Sequence, residues 1–242
     1  MASRGSSPAV GARCAVVTGA GRGIGLELVR QLAARGDRVF AVARRPAAAT
    51  ALTELAATTG DRVTVIGADV TSDEEVAALA TTIGDQAVDV LINNAGVYGG
   101  PNQSLANLDL ADCARIFEVN ALGPLRVTRA LLPQLRRRAG AKLLHVTSGM
   151  GSIGDNTSGG DYGYRMSKAA LNMASKSLAV DLRRVGICSA VINPGWVQTD
   201  MGGPNATTTV EASVAGILRQ LDLLSLSTSG TFLDWSGASY PW

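Results

Sequence analysis

Histidine and cysteine are scarce in this chain: one histidine, His145, and three cysteines, Cys14, Cys113 and Cys188, among 242 residues. A single imidazole leaves little material for a His-ligated metal or a Ser-His-Asp triad. His145 sits in an apolar run and reads as a satisfied core residue. Cysteines odd in number and far apart imply neither a disulfide framework nor a metal cluster, so they read as buried, reduced thiols. Aromatic residues make up only 4% and the formal net charge is +2. The arginines are scattered apart from Arg136-Arg137-Arg138, and nothing suggests a nucleic-acid surface. No apolar stretch reaches membrane-spanning length, and residues 1–12 hold no apolar core for a signal peptide. These absences predict a soluble, cytoplasmic protein without a membrane partner.

Glycine is abundant, at 28 residues, and apolar residues make up 46% against 17% charged. That balance suits a globular fold with a buried sheet and many close backbone approaches. Short β-branched runs alternate with helix-patterned segments. Strands are expected over 14–18, 38–43, 63–67, 88–93, 143–147 and 187–192. Ser72-Asp-Glu-Glu75 reads as an N-cap with an acidic first turn. A long helical stretch covers about 110–138, with Pro124 and Pro133 able to kink or break it. Near-continuous apolar strands between helices argue for a single α/β domain over 13–242, a doubly wound parallel sheet covered on both faces. Residues 1–12 are expected to be a flexible leader to it.

Two features carry chemistry. Thr18-Gly-Ala-Gly-Arg-Gly-Ile-Gly25 follows the first strand and opens a helix, where glycines let the backbone approach a pyrophosphate and free N–H groups face its charge. Farther on, Tyr164 and Lys168 are four residues apart on a helix and share a face. An ammonium beside a phenol favours the phenolate, which predicts a lowered Tyr164 pKa and a proton exchangeable near neutrality. Tyr162 competes as the acid, but Met166 occupies the position four residues on. Thr147 competes with Ser148 at the end of strand five, and strand alternation puts the two on opposite sides.

These motifs, with Asp69-Val70, Asn93-Asn-Ala-Gly96, Asn120, Ser148 and Pro194-Gly195, occur in the order found in short-chain dehydrogenases/reductases, and the chain resembles that family. It is most similar to the C-factor-like and sniffer-like carbonyl reductases. That likeness rests on Asp155-Asn-Thr-Ser-Gly-Gly160, the run from Tyr164 to Met173, Pro194 to Gly203 and the ending Gly230-Thr-Phe … Pro241-Trp242. The resemblance implies a Rossmann-type fold and hydride transfer between a nicotinamide and a ketone, aldehyde or secondary alcohol. It makes Tyr164 the general acid/base, Lys168 its partner and a ribose ligand, Ser148 a donor to the carbonyl oxygen, and Asn120 the support of a water relay.

The same resemblance assigns cofactor contacts to Gly19, Arg22, Gly23, Ile24, Gly25, Arg44, Asp69, Val70, Asn93, Ala95, Gly96, Tyr164, Lys168, Pro194, Gly195, Val197 and Thr199. An acidic residue after the second strand would select NAD. Ala43-Arg44-Arg45 stands there instead, with Arg22 in the glycine loop, so NADP(H) is favoured over NAD(H). Tyr98, Met150 and Trp196 could line the substrate pocket, and residues 201–224 would form a lid over it. A homodimer or homotetramer is implied, through the helices near 110–138 and 164–184. The alternative is a nucleotide-binding signalling or sensor protein of C-factor type with incidental turnover. A sugar-nucleotide epimerase or dehydratase shares the Tyr/Lys pair, but the added C-terminal domain and differently spaced glycine loop of such chains are missing.

Overall fold

The computed structural model describes residues 12–242, so the expected flexible leader lies, except for Ala12, outside the described residues. Seven strands form one parallel sheet: β1 Cys14–Thr18, β2 Arg38–Ala43, β3 Val63–Gly67, β4 Val90–Asn93, β5 Lys142–Val146, β6 Cys188–Asn193 and β7 Phe232–Asp234. Their order is β3-β2-β1-β4-β5-β6-β7. The direction of winding reverses between β1 and β4, and a doubly wound sheet opens a crevice at such a switch point, beyond the carboxyl ends of its strands.

Alternation along the strands divides the core in two. Ala15 and Val17 face one side, and there α1 (Gly23–Ala34), α2 (Thr50–Thr58) and α8 (Val210–Leu223) close over them with Leu28, Leu52, Ile217 and Leu221. Cys14 and Val16 face the other side, covered by α3 (Asp73–Ile83) with Leu79, α5 (Gly123–Ala130) with Val127 and α6 (Leu132–Arg136) with Leu135. The three cysteines are buried free thiols. Ser72 caps α3 as its sequence predicts, its Oγ accepting from Glu75 N–H at 3.1 Å. Among the described residues no helix is long and apolar enough to cross a membrane.

The structure departs from the sequence reading in several places. β4 begins at Val90, because Val88 gives its N–H to Gln134 O outside the sheet. β5 and β6 are each shifted by one residue, and β7, three residues long, is too short to show a period. The stretch 110–138 is in four pieces: α4 (Leu110–Phe117), a π-helical turn Glu118–Leu122, α5 and α6. Pro124 has no N–H to offer the carbonyl of Asn120, and Pro133 none for Arg129, so the regular ladder fails just before each. The lid expectation is also corrected. α8 packs against α1 and buries Val214, Ile217, Leu218 and Leu221, so residues 210–223 belong to the core, and only the loop before them reaches the crevice.

Candidate functional site

The crevice above β1 and β4 is a cleft of about 670 Å³, and the glycine loop, Arg44, Asp69, Gly96, Tyr164 and Lys168 are on its walls. At one end the backbone approaches itself so closely that side chains are excluded. Gly19 has φ +66°, and a Cβ there would come within 2.7 Å of Ala95 Cα; a Cβ on Gly25 would lie 2.1 Å from Gly19 O. Asn94 ties this loop to β4. Its N–H and that of Ala95 donate to Thr18 Oγ1 at 3.0 and 3.1 Å, and its Nδ2 donates to the carbonyls of Thr18 and Gly19. No side chain caps the start of α1, so its first N–H groups remain unsatisfied by the helix itself.

The basic residues at this end are well exposed. Arg22 pairs with Asp200, and Arg44 Nη1 lies 3.9 Å from Asp69 Oδ2. Partial burial pushes the Asp69 carboxyl up. Hydrogen bonds from Thr71 N–H and Oγ1, with the charges of Arg44 and Arg126, outweigh that and hold it below the ordinary carboxylate value.

The other end is buried. Tyr164 and Lys168, on α7 (Tyr162–Asp181), are 7% and 4% exposed. Lys168 Nζ donates to Val146 O at 2.9 Å and sits 5.8 Å from the Tyr164 ring centroid. Burial pushes the phenol up to about 12, against a smaller pull downward from the Ser148 hydroxyl, and pushes the ammonium down to about 8. The expected lowering of the Tyr164 pKa by Lys168 is therefore not found in the protein alone. Desolvation penalises the charged form of each group, and the ammonium is turned to a carbonyl rather than to the phenol.

Asn120 is fully buried on the π-helical turn. Its Oδ1 accepts from Val97 N–H at 2.8 Å, while its Nδ2 donates to Val97 O and Ser167 Oγ. A Cβ on Gly96 would stand 3.3 Å from Asn120 Oδ1 and 3.4 Å from Lys168 Nζ, so both groups border the space left by that missing side chain. Ser148 lies just past β5 and caps a short turn, its Oγ accepting from Met150 N–H. Thr147, which is on the cleft wall where Ser148 is not, spends its hydroxyl on Asn172 Oδ1 at 2.6 Å. Tyr162 and Met166 are substantially exposed.

Of the residues assigned to the cofactor, Gly19, Arg22, Gly23, Ile24, Gly25, Arg44, Asp69, Val70, Ala95, Gly96, Tyr164, Lys168, Pro194 and Thr199 line the cleft. Asn93, Gly195 and Val197 do not. The Asn93 side chain turns beneath the sheet, where its Nδ2 meets Thr128 Oγ1 and His145 Nδ1, each at 3.2 Å. Its Oδ1 and His145 Nε2 are buried without a partner, so His145 is a core residue but only half satisfied. Burial, aided by Lys168, pulls its pKa down to about 4. Asn94, which the sequence reading passed over, takes the place given to Asn93, and strand parity was the signal that could have found it. Trp196 is half exposed and donates its indole N–H to Gly202 O.

The short chain dehydrogenase family profile matches residues 13–209. The C-signal protein of Myxococcus xanthus is 57% identical over 155 residues, 64% of this chain and 93% of that one. An NADPH-bound carbonyl reductase from chicken fatty liver superposes with a TM-score of 0.90 at 35% identity, covering 96% of this chain and 99% of its own. Carbonyl reductase Sniffer of D. melanogaster superposes with a TM-score of 0.88 at 30% identity, covering 96% and 100%.

Proposed function

This chain belongs to the short-chain dehydrogenase/reductase family of oxidoreductases, and from that premise we propose that it reduces ketones or aldehydes with NADPH, or oxidises the corresponding alcohols. The reading is carried by one observation: the buried Tyr164 and Lys168 line the same cleft as the uncapped start of α1 and the glycine loop. That loop fits a dinucleotide, because its crowded glycines keep the backbone low and its N–H groups remain for a pyrophosphate. Arg44 and Arg22 would take the 2′-phosphate. Both arginines are well exposed, and Arg44 stands 3.9 Å from its part-buried partner Asp69 while the partner of Arg22, Asp200, is exposed; pairs of this kind are worth little, so a phosphate can displace them. The kinship with an NADPH-bound carbonyl reductase supports the same choice over NADH.

NADPH, when bound, supplies the hydride. Tyr164 would give its proton to the carbonyl oxygen, and a phenol kept protonated by burial is suited to donate. Lys168, with its burial-lowered pKa near 8, would hold the ribose hydroxyls and offer a positive charge as the phenolate forms. Ser148 would donate to the same carbonyl oxygen, where charge accumulates. Asn120, facing Lys168 across the space beside Gly96, would seat the water that returns the proton.

Self-association would use the apolar side chains left exposed on α4 and α7, among them Leu110, Met166, Met173 and Val180; sedimentation of the L110E variant, expected to run as a smaller species, checks it. The likeness to C-signal supports a second reading, in which nucleotide binding serves a signalling role. NADPH absorbance followed with a panel of aldehydes, ketones and quinones separates the two. Wild-type turnover should fall about 10³-fold in Y164F with NADPH affinity retained. NADPH binding without turnover on any member of the panel would favour the signalling reading.

A further inference from the structure

Asp161 breaks two rules at once. Among the described residues it is the one non-glycine with a positive φ, +46°, a conformation that L residues adopt only at a cost. It also occupies the N-cap of α7, where an aspartate usually accepts from the first turn, yet its carboxylate caps nothing. Gln103 does the capping from a distant loop. Its Oε1 accepts from Tyr164 N–H at 2.9 Å and its backbone carbonyl from Tyr162 N–H at 3.2 Å, while its Nε2 holds the carbonyls of Tyr98 and Gly100.

The Asp161 carboxylate is released for one contact, a 2.6 Å hydrogen bond accepted from Tyr98 Oη. Held in this way, the Tyr98 ring leans on the ring of Tyr164, with centroids 4.8 Å apart and planes inclined at 40°. Rotation about the terminal torsion of a tyrosine, which is broad, leaves Oη on its axis but turns the ring plane in which the O–H lies, so a wall against the ring fixes where the proton points. Tyr98 is that wall: it covers one side of the Tyr164 ring while being itself about one-third exposed. Burial and the neighbouring Asp161 push the Tyr98 pKa up to about 12, so its hydroxyl stays a donor at working pH.

The structure assigns Tyr98 as a positioning residue for Tyr164, clamped by Asp161, which orients the phenol and keeps water from it during carbonyl reduction. This rests on the reading of Tyr164 as the proton donor. The titratable groups around Tyr164 are Lys168 on its own helix, Tyr98 from the β4–α4 connection and, behind Tyr98, Asp161 and Arg165; the Ser148 hydroxyl approaches from the turn after β5.

The test compares Y98F, Y98A, D161N and D161A. Turnover is measured with saturating NADPH and 4-nitrobenzaldehyde, and the Tyr164 phenol is titrated by NMR of protein labelled with [4-¹³C]tyrosine. Misplacement of a catalytic group by about an ångström costs up to ~10²-fold. In Y98A and D161A, kcat should therefore fall about 10-fold, with KM and NADPH affinity within about twofold. Asparagine tolerates the left-handed backbone and keeps an acceptor, so D161N should retain at least about half of kcat. In Y98A the Tyr164 resonance should titrate at lower pH, because water reaches the phenol.

Unchanged kcat together with an unchanged Tyr164 titration in Y98A would overturn the assignment. So would equal losses in D161N and D161A. Should Y98A not fold, Y98F, which keeps the ring and loses the clamp, should lose kcat as D161A does, about 10-fold, and a wild-type rate in both would overturn the assignment. Turnover that survives Y164F would overturn the proton-donor reading instead, while the NMR titration still decides whether Tyr98 shields the phenol.

Discussion

The two ends of the cleft are built on opposite plans. At the glycine end the work is done by backbone and by missing side chains, and the charged groups, Arg22, Arg44 and Asp200, are open to water. At the tyrosine end Tyr164, Lys168 and Asn120 are buried, and each is held by contacts from segments distant in the chain. One end can recognise charge at little folding cost. The other holds ionisable groups where their charged forms are disfavoured, the setting that the proposed proton transfer calls for.

That contrast can be broken by measurement, and the largest effect is expected beneath the buried end. His145 has an ordinary pKa of 6.5 and is pulled down to about 4 in the folded protein. The unfolded chain takes up this proton first as pH falls, so stability is complete above about 6.5 and is lost between 6.5 and 4, by about 3 kcal/mol in all. Urea unfolding at stepped pH should show the loss, with a flatter acid limb in H145Q; a flat wild-type curve would sink the prediction. Next in size is the charge at the open end. R44A should weaken NADPH binding about 10-fold and leave NADH untouched. Added salt should erode the difference, since exposed charges are screened. Equal losses for both cofactors by calorimetry would count against the phosphate assignment. Smallest is D200N, which frees Arg22 from its exposed partner and should tighten NADPH two- to threefold at most, because such pairs are worth little. A change of 10-fold or more there would mean that the open end is not as solvated as its exposure implies.

Legibility in the sequence followed the same division. The glycine loop, β1, β2 and β3 could be read at their observed bounds, since they depend on local pattern and on glycine's freedom. Ser72 as the cap of α3 was readable for the same reason. At the buried end Tyr164 with Lys168 was visible as a spacing, while Ser148 and Asn120 came only from the order of motifs shared with the family. The sequence suggested that the cation would lower the phenol, whereas burial raises it, and burial is a property of the whole fold. Asn94, Gln103 and Asp161 escaped the reading because their partners lie far away in sequence. β7 escaped because three residues, between Thr231 and the turn at Trp235–Gly237, show no period.

Gln103 completes the first turn of α7 from 61 residues upstream, so the helix with both buried side chains has no finished beginning of its own. On a growing chain, or one nicked in the β4–α4 connection, that turn would fray. Its phenol and ammonium would then return to water and to their ordinary values of about 10 and 10.4. The proposed proton-transfer pair is thus assembled only with closure of the fold, once the β4–α4 connection has docked on α7.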